Sequence, residues 1–225
     1  PNRTVSTAWK DGLNGILDAY LGKVPDTFTY KGKSYPPQSF AASLGLNWDD
    51  YVAVTSFTHH PFYTQFALEI PDNWLWGLSY NVTMDDMEEM IDYSLENGYT
   101  VTWATDLIET GCKYRNGFAI VPATSVEEIS GSDMARWTGL TAEDLKKEVT
   151  GPMPERTITQ EDRQLAFNNL QTTDDHGMQI VGLAKDQFGN KFYKVKNSWG
   201  TANSAYDGYF YVSPTFVKYK TTNLM

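Results

Sequence analysis

The sequence predicts an α+β fold: an antiparallel, barrel-like sheet in its C-terminal third, decorated by helical insertions. Three observations carry this. The last third is written in short runs of apolar and β-branched residues separated by turn signals, the pattern of strands with a buried face. Residues 83–97 repeat apolar positions at helical spacing between a capping threonine and a terminating glycine. The chain has 225 residues, 41% hydrophobic and 14% aromatic, enough for one large domain with a real core.

Taken in order, residues 9–21 place Trp9, Leu13, Ile16, Leu17 and Tyr20 on one helical face, and Gly22 is a plausible stop. Pro25, Gly32, Pro36 and Pro37 punctuate a turn-rich stretch. Residues 38–80 show no clear period apart from a short strand expected within 52–57. Residues 1–82 thus read as a helix and an irregular lead-in. In the 83–97 helix Thr83 caps the N-terminus, Asp85 and Asp86 sit where the helix dipole favours anions, and Gly98 ends it. Its expected inward stripe is Met87, Met90, Ile91, Ser94 and Leu95. Residues 99–105 alternate and read as a strand.

A polar segment, 122–171, holds two helix candidates, capped by Thr141 with Asp144 and by Thr159 with Asp162. Residues 83–171 are therefore expected to be a helix–strand–helix insertion region. Residues 172–225 form the antiparallel sheet. There 178–184 and 192–196 flank a Gly189-containing turn as a hairpin, and 208–212 and 216–219 are expected as two more strands.

Composition removes several function classes. Eighteen basic against 28 acidic side chains give a formal charge of -10, which repels phosphate backbones and anionic lipid, so neither nucleic acid nor a membrane is an expected partner. No run approaches the ~18 apolar residues of a membrane helix. Cys112 is the single cysteine, which excludes an intrachain disulfide framework and a thiolate-rich zinc site. Pro1-Asn2-Arg3-Thr4 is neither a signal peptide nor an initiator start, so Pro1 is not expected to begin the gene product.

Two segments carry chemistry: Asp175-His176-Gly177-Met178-Gln179-Ile180 and Val195-Lys196-Asn197-Ser198-Trp199-Gly200. A histidine at a strand start can hold one ring nitrogen toward a cleft. An asparagine at the end of the next strand can accept a hydrogen bond from the other nitrogen and fix tautomer and orientation. A tryptophan two residues later can keep water off that bond.

These segments, with Gly208-Tyr209 after them, resemble the histidine and asparagine signatures of papain-like cysteine peptidases. Lys23-Val24-Pro25-Asp26-Thr27-Phe28-Thr29-Tyr30, Pro37-Gln38-Ser39-Phe40, Asp49-Asp50-Tyr51-Val52 and Tyr99-Thr100-Val101-Thr102-Trp103-Ala104-Thr105-Asp106 resemble the bleomycin hydrolase and aminopeptidase C branch. The resemblance implies that the chain is the C-terminal portion of such a peptidase. His176 would be the general base, Asn197 its orienting partner and Trp199 a supporting shield. It also implies a peptide substrate, no cofactor, and a homohexameric assembly. That assembly and the aminopeptidase behaviour depend partly on a C-terminal tail, whereas this sequence ends at Met225, shortly after the last expected strand.

The family's nucleophilic cysteine lies in a glutamine-rich motif opening a long helix, and no such motif occurs here. The thiol is therefore expected on an N-terminal segment of the same protein or on a separate chain. Cys112, with Lys113 beside it to lower its pKa but no helix following, is expected to be an incidental thiol. The rival reading is a non-catalytic peptide-binding or scaffold protein derived from a peptidase. No metal site is expected: Asp174 and Asp175 beside His176 read as surface charge, and His59 and His60 adjoin Pro61 with no acidic neighbour in sequence. Asp85, Asp86, Glu88 and Glu89 read as the solvated side and first turn of a helix, and Trp74 and Trp76 as core, the alternative being a carbohydrate- or peptide-lining surface.

Overall fold

The computed structural model describes residues 4–109, 111–123, 151 and 153–225. The chain divides into two compact units, Pro1–Asp50 and Tyr51–Met225. In the first, α1 (Ala8–Leu21) is followed by a hairpin of β1 (Phe28–Tyr30) and β2 (Lys33–Tyr35) and by α2 (Pro37–Ser43). Lys31 and Gly32 both take positive φ, the conformation that a two-residue hairpin turn requires. The Phe40 ring stands edge-on to Phe28, Tyr30 and Tyr35 at 5.1–5.4 Å between centroids.

The second unit is built on a ten-stranded sheet. Its strands are β3 (Val54–Thr55), β4 (Gln65–Ala67), β5 (Leu78–Asn81), β6 (Val101–Thr105), β7 (Cys112–Lys113), β8 (Phe118–Ala119), β9 (His176–Lys185), β10 (Lys191–Lys196), β11 (Tyr209–Val212) and β12 (Thr221–Leu224). They lie in the order β4-β5-β3-β12-β6-β9-β10-β11-β8-β7. Pairing is antiparallel except at β3/β5 and β8/β11, which are parallel. The sheet is open, not a closed barrel: its end strands β4 and β7 pair with β5 and β8, not with each other. Residues 51–82 supply three of its strands: β3 falls within the strand expected at 52–57, whereas β4 and β5 lie in the stretch without a clear period.

Among the described residues, three helices pack against this sheet: α3 (Met84–Glu96), α4 (Gln160–Asn168) and α5 (Pro214–Lys220). Both sequence-predicted caps within the described residues form. Thr83 accepts from the Asp86 N–H, and Thr159 and Asp162 make a reciprocal capping box. The helix expected after Thr141 lies outside the described residues. Met84, Met87 and Ile91 are buried and Leu95 packs beside them, whereas Met90 is 41% exposed. At about 100° per residue, positions 84, 87, 91 and 95 share a face that position 90 leaves.

The strand expected at 216–219 is instead the body of α5. Its residues favour strands, but Ser213 caps the Phe216 N–H and Pro214 sits in the first turn, a combination that starts a helix. Phe216 and Val217 then enter the core from helical positions, and the strand follows as β12, in the middle of the sheet.

Charged groups fasten the helices. Lys191 on β10 pairs with Glu88 and Asp92 of α3, both at 2.6 Å, and Lys218 on α5 pairs with Glu88 at 2.5 Å and with Asp85 at 3.0 Å. Glu88 therefore does not belong to a merely solvated helix side. Arg163 of α4 is fully buried over the Phe57 ring and donates to the carbonyls of Ser56, Lys218 and Thr221.

Candidate active site

The register of β6 and β9 sets His176 opposite Thr105, where both strands meet the loops at one sheet end. Two carboxylates tie those loops together. Asp106 accepts from the N–H groups of Ile108 and Thr173, and Asp175 accepts from the N–H of Leu107 at 3.0 Å. Asp174 accepts from the Thr222 hydroxyl. Burial, the largest influence, raises the pKa of both Asp174 and Asp175. Asp106 is buried, Asp174 half-buried and Asp175 exposed, and all three fasten the loops through these bonds.

Asn197 follows β10 directly, and its N–H bonds to the Gly208 carbonyl at 3.0 Å. Gly208 takes a φ of +84°, and a Cβ there would meet the Gly200 carbonyl oxygen at 2.9 Å. The glycine thus lets the 197–200 turn close against the start of β11.

His176 Nε2 lies 2.8 Å from Asn197 Oδ1. The same oxygen accepts from the Ser198 backbone N–H at 2.7 Å. An N–H cannot face the amide nitrogen, so the asparagine presents its oxygen to the histidine and Nε2 must be the donor. Nδ1 of the neutral ring then carries the lone pair. The Trp199 ring lies 4.7 Å from His176, tilted by 39°, and Tyr114 stands edge-on to Trp199 at 5.0 Å. Tyr114 also donates to the Gly200 carbonyl at 3.3 Å. Asn197 is only 3% exposed, while Trp199 is 55% exposed and caps the pair from solvent. Among the described residues Asn197 Nδ2 finds no acceptor.

The structure thus brings His176, Asn197 and Trp199 together as their spacing suggests. Tyr114 and the Asp106–Asp175 fastening had no local signal, because each acts across contacts distant in sequence. Cys112 lies on β7 beside the core, and burial pushes its thiol up to about 12. Lys113 pulls the other way but is outweighed. His59 and His60 meet an acidic residue only through the fold, at Glu69. Trp74 and Trp76 are 78% and 71% exposed, not core. Asn73 holds their turn by bonding Leu68 and Gly77, which leaves both rings at its tip.

An open α+β sheet with a histidine–asparagine pair under a tryptophan is an arrangement similar to that of papain-like proteins. Residues 153–222 match the model described as papain family cysteine protease. Aminopeptidase G of Lactobacillus delbrueckii subsp. lactis is 26% identical over 212 residues, covering 88% of this chain and 42% of its own length. The crystal structure of PepW from Lactobacillus rhamnosis HN001 superposes with a TM-score of 0.65 at 19% identity, over 98% of this chain and 49% of the other. The chain is thus similar to papain-family cysteine peptidases over residues 153–222 and to an aminopeptidase over most of its length. It spans less than half the length of both relatives.

Proposed function

We propose that this chain supplies the base and its orienting partner to a Cys-His-Asn peptidase whose thiol lies outside residues 1–225. The observation that carries the reading is the 2.8 Å bond from His176 Nε2 to Asn197 Oδ1, which leaves Nδ1 as the free basic nitrogen. Nδ1 takes the thiol proton, giving a thiolate–imidazolium pair. The thiolate attacks the peptide carbonyl, and the imidazolium gives its proton to the leaving amine. Water, deprotonated by Nδ1, then hydrolyses the thioester. Asn197 exchanges no proton; it prevents ring rotation and keeps the tautomer.

Two observations support a thiol from elsewhere. Burial keeps Cys112 protonated, the opposite of an activated thiol. Asn197 Nδ2 is a buried donor with no acceptor among the described residues, the kind of group a further segment would satisfy. The substrate class is peptides, and aminopeptidase action and a homohexamer follow by likeness to the family. His176→Ala in the complete protein should lower peptide hydrolysis by at least about a thousandfold. Near-normal turnover would overturn the assignment. The rival, a peptide-binding protein without catalysis, is favoured by the inert state of Cys112; on that reading the wild type itself would not hydrolyse peptides.

A further inference from the structure

We propose that His59, His60 and Glu69 form a binding site for a zinc-type divalent transition-metal ion. The site is built on the β3–β4 connection and the residues leaving β4, and β4 is an end strand of the sheet, five positions from β9. His59 Nε2 lies 3.0 Å from one carboxylate oxygen of Glu69, and His60 Nε2 lies 2.8 Å from the other. One nitrogen from each ring and one carboxylate oxygen lie within 4.8 Å of one another. A tetrahedral ion with bonds of about 2.0–2.2 Å holds its ligand atoms roughly 3.3–3.6 Å apart, so the two short histidine–carboxylate contacts would widen and the wider separations, up to 4.8 Å, would close around it. Two imidazoles and one carboxylate select zinc, cobalt, nickel or copper over magnesium or calcium.

Both rings are preorganised. His60 stacks on Phe66 at 4.2 Å, and His59 stacks on Phe167 at 5.5 Å. Asn81 pins the intervening loop through the carbonyls of Phe57, His60 and Pro61. The second nitrogen of His59, Nδ1, faces the Gln164 amide, with Oε1 at 3.3 Å and Nε2 at 3.1 Å. That amide can accept Nδ1–H once Nε2 binds metal, the outer-shell partner that fixes a ligating histidine. His59, His60 and Glu69 side chains are 28%, 36% and 49% exposed, so the fourth position opens to water. A bound ion would staple the β3–β4 connection to the residues leaving β4.

The test is zinc binding to the complete protein by calorimetry, with cobalt as a spectroscopic probe, in wild type, Glu69→Gln and His60→Phe. The phenylalanine keeps the stack on Phe66, and the glutamine keeps size and hydrogen bonding. The proposal expects about one ion per chain in the wild type, a tetrahedral cobalt spectrum, and affinity lowered by more than about 100-fold in each variant. It also expects zinc to raise the melting temperature of the wild type only. Absence of wild-type binding overturns it, as does undiminished binding in Glu69→Gln. If His60→Phe fails to fold, Glu69→Gln decides alone.

Discussion

Cys112 gives a sharp quantitative prediction, because its burial separates an inert thiol from a nucleophile. Its ordinary pKa of 9.0 is pushed to about 12, chiefly by burial. At pH 8 the unfolded thiol is about one-tenth ionised, whereas the folded one is ionised about once in ten thousand, a ~1000-fold loss of thiolate. A more basic thiolate is intrinsically more nucleophilic. With a Brønsted slope of about 0.4–0.5, three pKa units return roughly 16- to 30-fold. Ionisation alone therefore slows alkylation about 30- to 60-fold, and restricted access slows it further. The assay is iodoacetamide labelling at pH 8, native against urea-unfolded, read by mass spectrometry on the peptide that contains Cys112. A native rate within about threefold of the unfolded rate would refute the buried-thiol argument and reopen Cys112 as the nucleophile.

Asn197→Ala should lower kcat/KM of the complete protein about 10- to 150-fold, the loss of a ~1.5–3 kcal/mol bond to a charged ring, and less than loss of His176 itself. An unchanged value would mean that the orienting bond is idle. For Glu88, burial raises the pKa, but hydrogen bonds from Lys191 and Lys218 outweigh it and hold the group below 4.5. Its stabilisation is thus present above pH 4.5 and lost as pH falls through the folded pKa. Glu88→Gln should cost about 1–2 kcal/mol in urea unfolding at pH 7 and much less near pH 3; a pH-independent cost would contradict the ion-pair account. Arg163→Met strands the carbonyls of Ser56, Lys218 and Thr221. It should destabilise by roughly 3–5 kcal/mol in the same assay, and a loss under about 1 kcal/mol would contradict the bonding role.

How far these features were legible follows from how local their causes are. The α3 and α4 helices are written in their caps, and the β9–β10 hairpin in its alternation and turn. The histidine–asparagine pair is legible because strand register converts a short spacing into a contact. The final helix reads as a strand in the sequence because Phe216, Val217 and Tyr219 favour strands, while the Ser213–Pro214 start that decides the matter is two residues long. Of the short strands, β3 falls within the stretch expected at 52–57, whereas β4, β5, β7 and β8 are two to four residues each, too short to show a period. Glu69 meets His59 and His60 only because β4 returns beside the β3 loop, and Tyr114 meets Trp199 only through the fold. Trp74 and Trp76 show the limit of composition: aromatic residues signal a core on average, but a turn fixed by Asn73 holds these two outside it.

The central claim is that His176 activates a thiol lying outside this sequence. The most direct test is iodoacetamide labelling of the complete protein near pH 6, in wild type and His176→Ala, with the modified cysteine identified by mass spectrometry. The account predicts one rapidly labelled cysteine outside residues 1–225, whose reactivity falls sharply in the variant. Rapid labelling of Cys112, or a reactive cysteine indifferent to His176, would contradict it.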